Sequence, residues 1–263
     1  MLLIKIGGGS ALNIKGIITD LAAMNEKFVI VHGANALRDE LAQKLNYEKR
    51  IVTSLSGYDS VFSDEKTIDL AMMAYAGLKN KRIVDLCQQN GINAIGLSGL
   101  DGKVIQGKRN SGIKVRENGK TLLLRDFSGK PRAINKMLLE LLLKNGFIPV
   151  LSVPLIDENN FAINSENDDI VALIQTEMKA DKVISLIEAP GFLLDKNDPS
   201  SLVSKISKTE LEAMEQKVEG RMKRKILAIR KLFEGGDTIV IISDGRTEHP
   251  IADALNGKGT TIS

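Results

Sequence analysis

Apolar residues recur along this chain in short blocks and in helical periods, and the two patterns alternate. The first block, Leu2-Leu3-Ile4-Lys5-Ile6, has the composition of a strand buried on both faces, with Lys5 as its only charged member. From residue 14 to residue 21 apolar positions repeat every three or four residues, and a second apolar block follows at 27–31. A strand, a helix and a strand in this order predict a parallel pair whose following loops share one sheet edge.

The same alternation continues along the chain with one interruption. It predicts helices at 37–45, 65–89, 131–145, 170–178, 208–216 and 221–233, and strands at 93–98, 147–153, 182–187 and 238–242. Between 102 and 125 the pattern changes to strand alternation with turn signals, and Asn118-Gly119 predicts a hairpin turn. We therefore expect an α/β fold, an open and mostly parallel sheet sandwiched by helices, with a β-hairpin excursion.

Composition narrows the class of protein. At 263 residues and 43% hydrophobic content, the chain suits one large or two medium domains with a substantial core. Its apolar runs fall short of the roughly 20 residues that span a bilayer, and Lys5 comes too early for a signal peptide, so we expect a cytoplasmic protein. The single Cys87 has the helical spacing of a buried apolar residue. A net charge of only +3 and the absence of tryptophan argue against nucleic acid as a partner.

Two glycine-containing turns are the candidate binding features. Gly7, Gly8 and Gly9 follow Lys5 directly, so the backbone there can approach a ligand closely and present amide groups to an anion. The second turn, His32-Gly33-Ala34-Asn35, follows the second strand and therefore faces the same crevice. The alternative is an edge strand whose Lys5 extends to water before an ordinary turn.

Common nucleotide and metal motifs are missing from the sequence. No stretch has the spacing of a phosphate-binding P-loop, and Leu12 stands where a dinucleotide fingerprint needs its third glycine. His32 and His249 stand alone, without a nearby cysteine or a paired histidine. Asp168 and Asp169 precede an apolar helix, where the helix dipole alone favours acidic residues.

Five short motifs taken together resemble the amino acid kinase family over nearly the whole chain. They are Lys-x-Gly-Gly-Gly at 5–9, Val-His-Gly at 31–33, Asn-Ala-Ile-Gly-Leu-Ser-Gly-x-Asp-Gly at 93–102, Asn-x-x-x-Asp at 164–168 and Gly-x-Met-x-x-Lys at 220–225. The likeness is to the branches that phosphorylate acetylglutamate or a carrier-bound aminoadipate or glutamate in arginine and lysine biosynthesis. The basic stretch 108–129 resembles the carrier-dependent branch, in which a small acidic protein presents the substrate.

The resemblance implies transfer of a phosphoryl group from ATP, with Mg²⁺, to a side-chain carboxylate. It implies a role for each matched residue: Lys5 and Lys225 at the phosphoryl oxygens, Asp168 holding both lysines, Gly7, Gly8 and Gly33 as backbone donors, and Gly33, Ala34, Val61 and Asn164 at the acceptor. Residues 1–178 would bind the acceptor and residues 179–263 ATP. Family members are usually homodimers or larger homo-oligomers.

Several positions depart from the family pattern. Ala34 and Asn35 stand where relatives have glycine, and Val61 stands where relatives have an arginine that binds the substrate carboxylate. Glu188 and Arg221 also differ from their counterparts. Two alternatives therefore stay open: a non-catalytic regulator that binds a nucleotide or amino acid on the same fold, and a carbamate or nucleoside monophosphate kinase. The match at Asn164 and Asp168 speaks against the second.

Overall fold

The computed structural model describes residues 1–53, 55, 59–117, 120–195, 197–217 and 220–263, with the backbone alone at 59–60, 117, 217 and 220–225. The α-helices are α1 (Ile14–Ala22), α2 (Asn35–Lys44), α3 (Glu65–Ala71), α4 (Asn80–Gln89), α5 (Lys136–Lys144), α6 (Asn167–Met178), α7 (Lys208–Lys217), α8 (Gly220–Lys231) and α9 (Pro250–Leu255). The first strands are β1 (Leu2–Ile6), β2 (Phe28–His32), β3 (Ile51–Thr53), β4 (Asp59–Val61), β5 (Ala94–Ser98), β6 (Ile105–Arg109), β7 (Ile113–Glu117) and β8 (Lys120–Leu124). The others are β9 (Gly129–Ile134), β10 (Ile148–Ser152), β11 (Leu155–Ile156), β12 (Ala162–Ile163), β13 (Lys182–Ile187), β14 (Lys205–Ile206), β15 (Ile239–Asp244) and β16 (Thr260–Ile262).

The central sheet confirms the predicted α/β class. Its eight strands within the described ranges run in the order β5-β10-β2-β1-β13-β15-β16-β14. Every neighbouring pair is parallel except β15 with β16. The chain leaves β1 toward β2 and later resumes at β13 on the other side of β1, so the strand order reverses between them. Ligands of open α/β sheets bind at such a reversal, outside the carboxyl ends of the strands.

Helices cover both faces of the sheet over two apolar layers. Leu3 and its counterparts in neighbouring strands pack beneath α5, α6 and α8. The alternate residues, such as Leu2 and Ile4, pack against α1, α4 and α9. Since side chains alternate along a strand, Lys5 shares the face of Leu3 and is directed toward α6 and α8.

The predicted helix at 65–89 forms as one continuous rod with a π-helical centre. Helices α3 and α4 are joined by the π-helical segment Met72–Lys79. The wider turns of a π-helix shift the side chains that follow it relative to those before it. Within α4, Cys87 is fully buried, and burial raises the pKa of its thiol to about 12, so it is the apolar core residue that its spacing predicts.

The β excursion forms, although one predicted helix boundary is wrong. Strands β7 and β8 pair antiparallel as expected, while Asn118-Gly119 lie outside the described residues. Residues 131–134, predicted to begin a helix, belong to β9, which pairs with β6 at the edge of its sheet. Pro131 is tolerated there because an edge strand does not need every amide as a donor. The helix instead begins after Asn135, whose side chain accepts a hydrogen bond from Leu138 N at 3.1 Å.

No described helix combines the length and apolarity needed to cross a membrane.

Asp20 of α1 fixes the start of α9 and provides a test of the packing. Its carboxylate, 9% exposed, accepts hydrogen bonds from Ile251 N at 2.9 Å and Ala252 N at 3.1 Å. Because Asp20→Ala leaves these amides without the carboxylate, we expect the free energy of unfolding to fall by about 1–3 kcal/mol. Urea denaturation measures this loss. Asp69→Ala, at an exposed position of α3, is the matched control, and an equal effect of both would contradict the assignment.

Candidate active site

Lys5 occupies a central strand and is paired. Strand β1 lies between β2 and β13, so the alternative of an edge strand is wrong. The Lys5 ammonium group donates a hydrogen bond to Asp168 in the first turn of α6. The Lys5 side chain is 16% exposed and that of Asp168 51% exposed, which places the pair at the opening of the crevice. Lys5 and Asp168 are therefore in contact, as the sequence predicts.

The two glycine-containing turns meet above this pair. A Cβ atom on Gly33 would lie 2.7 Å from Gly8 N, and one on Gly8 would lie 2.7 Å from Asn35 N. The Ala36 amide also donates to Gly8 O at 3.0 Å. Backbone atoms cannot move aside as a flexible side chain can, so both glycines are needed for the turns to approach this closely.

The available backbone donors differ from those predicted. The Gly7 amide donates to Leu186 O at 3.0 Å and the Gly33 amide donates to Ile6 O at 2.8 Å. The predicted donor role of Gly7 and Gly33 is therefore corrected to a packing role, because their N–H groups are already used. Within the described ranges, the amides of Gly8, Gly9 and Ser10 have no hydrogen-bond partner.

Asn164, one of the residues predicted to bind the substrate, is joined to Ser63 through the backbone of Phe127. Asn164 N donates to Phe127 O at 2.7 Å, and Phe127 N donates to Ser63 O at 2.7 Å. The Asn164 amide group also reaches Ser63 Oγ at 3.4 Å. This places Asn164 beside the segment that follows Val61 at the end of β4. Val61 is half-buried and provides no hydrogen-bond donor from its side chain.

Asp126 organises this region and was missed from the sequence. Its side chain, 2% exposed, accepts hydrogen bonds from Ser63 N at 3.0 Å, Ser128 N at 3.1 Å and Ser128 Oγ at 2.6 Å. The spacing Asp-Phe-Ser is a turn signal in which a carboxylate bonds the amide two residues on. The long-range contact with Ser63 has no counterpart in local sequence.

Ala34 and Asn35 have roles that limit their contact with a ligand. Ala34 is 1% exposed and packs in the core, so only its backbone can reach a substrate. The Asn35 side chain accepts a hydrogen bond from the Tyr75 hydroxyl in the π-helical segment. These two residues thus tie the second turn to the helix layer.

Two unpartnered polar atoms and a cavity lie near the start of α6. In the part of the chain that the structure describes, Ser165 Oγ and Asn167 Oδ1 are buried without a hydrogen-bond partner. A cavity of about 230 Å³ lies below Lys5 and Asp168, lined mainly by apolar residues of β13, β15 and α8. Because apolar walls lower the local dielectric constant, a charge at this opening interacts strongly with its neighbours.

The position of Lys225 is described for its backbone only. It lies on α8, and its side chain is outside the described residues, so its predicted approach to Lys5 stays a prediction. Helix α8 is fixed against α6 by an ion pair between Lys231 and Asp169. The anchored helix therefore covers the same face of the sheet on which Lys5 lies.

His32 supports the second turn from below as a neutral side chain. Burial lowers its pKa to about 4. Its Nδ1 lies 3.3 Å from Gly33 O, and its Nε2 lies 3.2 Å from the amide nitrogen of buried Asn80. A neutral ring with its proton on Nδ1 donates to Gly33 O and accepts from Asn80, which satisfies both contacts. Asn80 also donates to Val150 O at 2.9 Å.

Comparisons with known proteins agree with this architecture. The model of the amino acid kinase family matches residues 1–243. The chain is 39% identical to the LysW-aminoadipate kinase of Thermus thermophilus and 30% identical to the acetylglutamate kinase of Methanopyrus kandleri, with 100% of each chain covered in both cases. Among solved structures, N-acetylglutamate synthase from Neisseria gonorrhoeae has the same fold, with a TM-score of 0.78 at 19% identity over 100% of this chain and 59% of that chain.

The fold and the site together define an α/β protein whose strand-order reversal at β1 carries a lysine–aspartate pair and unpaired backbone amides. The chain belongs to the amino acid kinase family. Both the resemblance inferred from the five motifs and the expected enzyme class, a kinase, are confirmed.

The buried His32 predicts a pH dependence of stability. Its pKa is about 4 in the folded protein against 6.5 normally, so the unfolded chain binds more protons between these values. We expect the free energy of unfolding to fall by up to about 3 kcal/mol from this group as pH drops from 6.5 to 4. Urea denaturation gives the free energy of unfolding of the wild type and of His32→Gln across this pH range. The difference between their slopes against pH is the contribution of His32.

His249 is the internal control for this experiment. Its hydrogen bond with Asp20 raises its pKa, so its contribution is present below pH 6.5 and is lost as pH rises through the raised value. His249→Asn should therefore change the profile above pH 6.5 and leave the acid side unchanged. A His32→Gln profile parallel to that of the wild type between pH 6.5 and 4 would contradict the assignment.

Proposed function

We propose that this protein transfers the γ-phosphoryl group of ATP to a side-chain carboxylate and so forms an acyl phosphate. A carboxylate oxygen of the acceptor attacks the γ-phosphorus, the bond to the bridging oxygen breaks, and ADP leaves with that oxygen. The observation that carries the proposal is the Lys5–Asp168 pair, which lies at the strand-order reversal, where the chain after β1 also leaves the amides of Gly8, Gly9 and Ser10 unpaired. Phosphoryl transfer depends on such positioned cations and donors.

The residues present fit a triphosphate. Three successive amides without partners, beside a lysine, provide the donors and the positive charge that phosphate oxygens need. Asp168 holds the Lys5 ammonium group in place, and Lys225 on α8 is proposed to approach from the opposite side. Across the described residues no cluster of carboxylates, histidines or cysteines can hold a metal ion. We therefore propose that Mg²⁺ enters with the nucleotide and is bound largely by phosphate oxygens and water.

The two halves of the chain are proposed to bind different substrates. Residues 1–178 contain Asn164 and the hydrogen-bonded Ser63 region, which we assign to the acceptor together with Gly33, Ala34 and Val61. Residues 179–263 contain β13, β15 and α8, which we assign to ATP. The acceptor is proposed to be an acidic amino acid, either N-acetylglutamate or a carrier-bound aminoadipate or glutamate. The Thermus thermophilus relative is named for LysW-aminoadipate, which favours the carrier-bound acid.

The hairpin β7–β8 is the proposed docking surface for an acidic carrier protein. Lys114, Arg116 and Lys120 are exposed on it, and none forms an ion pair with a described carboxylate. The Leu55 amide donates to Lys114 O at 2.8 Å, which connects the hairpin to the β3–β4 segment ending at Val61. Positive charge beside the acceptor region would attract and orient an acidic partner. We further propose that the protein is a homodimer or a larger homo-oligomer.

Removing either lysine tests the proposed chemistry. Lys5→Ala and Lys225→Ala should each lower kcat by at least about 100-fold, because each removes a cation proposed to stabilise charge that develops in transfer. The acyl phosphate is trapped with hydroxylamine and measured as the hydroxamate, with acetylglutamate and carrier-bound aminoadipate compared side by side.

Lys15→Ala, at an exposed position of α1, is the matched control and should keep full activity. Circular dichroism shows whether each variant is folded. Full activity of either lysine variant would end the proposal. If the wild type binds ATP in calorimetry and forms no hydroxamate with any acidic acceptor, the chain is a binding regulator instead.

Charge reversal on the hairpin tests the carrier. Lys114→Glu combined with Lys120→Glu should raise KM for a carrier-bound acceptor by about tenfold, because rim charges act mainly on encounter with a charged partner. The KM for ATP and the KM for free acetylglutamate should stay within about twofold. Steady-state kinetics at low and high salt measure these values, and the effect should shrink as salt rises. An equal rise in KM for the free and the carrier-bound acceptor would refute docking at this hairpin.

A further inference from the structure

Glu188 holds the glycine loop at its far end. It follows β13 directly, and its Oε1 accepts a hydrogen bond from Ala11 N at 2.7 Å. The near end of the loop is held by the bond from Gly7 N to Leu186 O at 3.0 Å. Residues 8–10, whose amides are free, therefore lie between two anchors that both belong to the end of β13.

The Glu188 carboxylate also packs on the loop itself. A Cβ atom placed on Gly9 would overlap this carboxylate. Gly9 does not have a left-handed φ angle, and the three atoms nearest to an added Cβ all belong to this carboxylate. An alanine at position 9 would therefore require the Glu188 carboxylate to move.

We propose that Glu188 is a positioning residue for ATP, setting the direction of the Gly8, Gly9 and Ser10 amides through its bond to Ala11. This inference rests on the proposed function, since it takes these amides as the phosphate-binding donors. A carboxylate beside a triphosphate would repel the phosphates unless its negative charge were compensated. The Glu188 oxygen is occupied by the Ala11 amide, and its charge acts on Arg246, whose pKa is raised by hydrogen bonding to Asp244 and further by Glu188.

The length of the side chain is part of the proposal. An aspartate at this position is one methylene shorter and would not place its oxygen against the Ala11 amide from the same backbone position. A glutamine has the same length and a carbonyl oxygen that can accept the same hydrogen bond. Substitution by glutamine therefore removes the charge of Glu188 and keeps its hydrogen bond to the Ala11 amide, so the two effects can be tested separately.

The experiment compares Glu188→Ala with Glu188→Gln in the full-length protein. Glu188→Ala should raise both the KM for ATP and the calorimetric Kd for ATP by about tenfold, with kcat and the acceptor KM within about twofold. Glu188→Gln should restore both ATP constants to within about twofold of wild type. Glu26→Ala, at an exposed loop position, is the matched control, and thermal unfolding by circular dichroism monitors the fold of every variant.

Gly9→Ala provides a second and independent test. Because its methyl group displaces the carboxylate, it should raise the ATP constants as much as Glu188→Ala does. In the Glu188→Ala background the space is vacant, so adding Gly9→Ala should change the constants by less than about twofold.

Three results would overturn the proposal. The first is a Glu188→Ala variant whose KM and Kd for ATP equal those of the wild type. The second is a Glu188→Gln variant whose ATP constants rise as much as those of Glu188→Ala. The third is a double variant in which the increases caused by Gly9→Ala and Glu188→Ala multiply. Calorimetric ATP binding tests Glu188 even if the wild type phosphorylates no acidic acceptor. Failure of this inference is therefore distinguishable from failure of the proposed function.

Discussion

The pairing of Lys5 with Asp168 is the constraint on which the rest of this structure depends. A lysine in the central strand of a sheet is costly unless its charge is compensated, because apolar neighbours surround it on most sides. Asp168 compensates that charge from the first turn of α6, 163 residues later in the chain. The ion pair therefore fixes α6 over β1, and it leaves a cation at the opening of the crevice.

The same crevice is built from backbone atoms that cannot easily move. The turns after β1 and β2 touch through Gly8 and Gly33, so each limits the position of the other. Beneath them His32 is neutral and lies between the Gly33 carbonyl and Asn80, at the end of the π-helical segment. Amide donors placed by such contacts need little reorganisation when an anion binds, which is what electrostatic catalysis requires.

The region proposed to bind the acceptor is assembled differently, from loops that a buried carboxylate holds together. Asp126 accepts hydrogen bonds from Ser63 and Ser128, and the backbone of Phe127 connects Ser63 with Asn164. A backbone hydrogen bond from Leu55 to Lys114 connects this region with the exposed basic hairpin. One side of the crevice is therefore the carboxyl end of the central strands, and the other is a set of short strands next to an exposed hairpin.

Much of the architecture was determined by the sequence alone. Apolar periodicity predicted the strands of the central sheet and most helices, because burial on two faces of a sheet leaves a clear local pattern. The motifs containing Lys5, Gly33, Asn164 and Asp168 indicated the family and the crevice. The helix predicted to begin at Pro131 does not begin there. A proline is as acceptable in an edge strand as in a first helical turn, and only the pairing of β9 with β6 decides between the two.

Only the tertiary structure decided which groups are free to bind. The sequence shows that Gly7, Gly8 and Gly33 are glycines, but it does not show that the amides of Gly7 and Gly33 already donate to Leu186 and Ile6. It likewise gives no sign that Glu188 reaches Ala11, or that Asp126 reaches Ser63. These contacts join residues far apart in the chain, and their existence depends on strand order and register, which local composition does not encode.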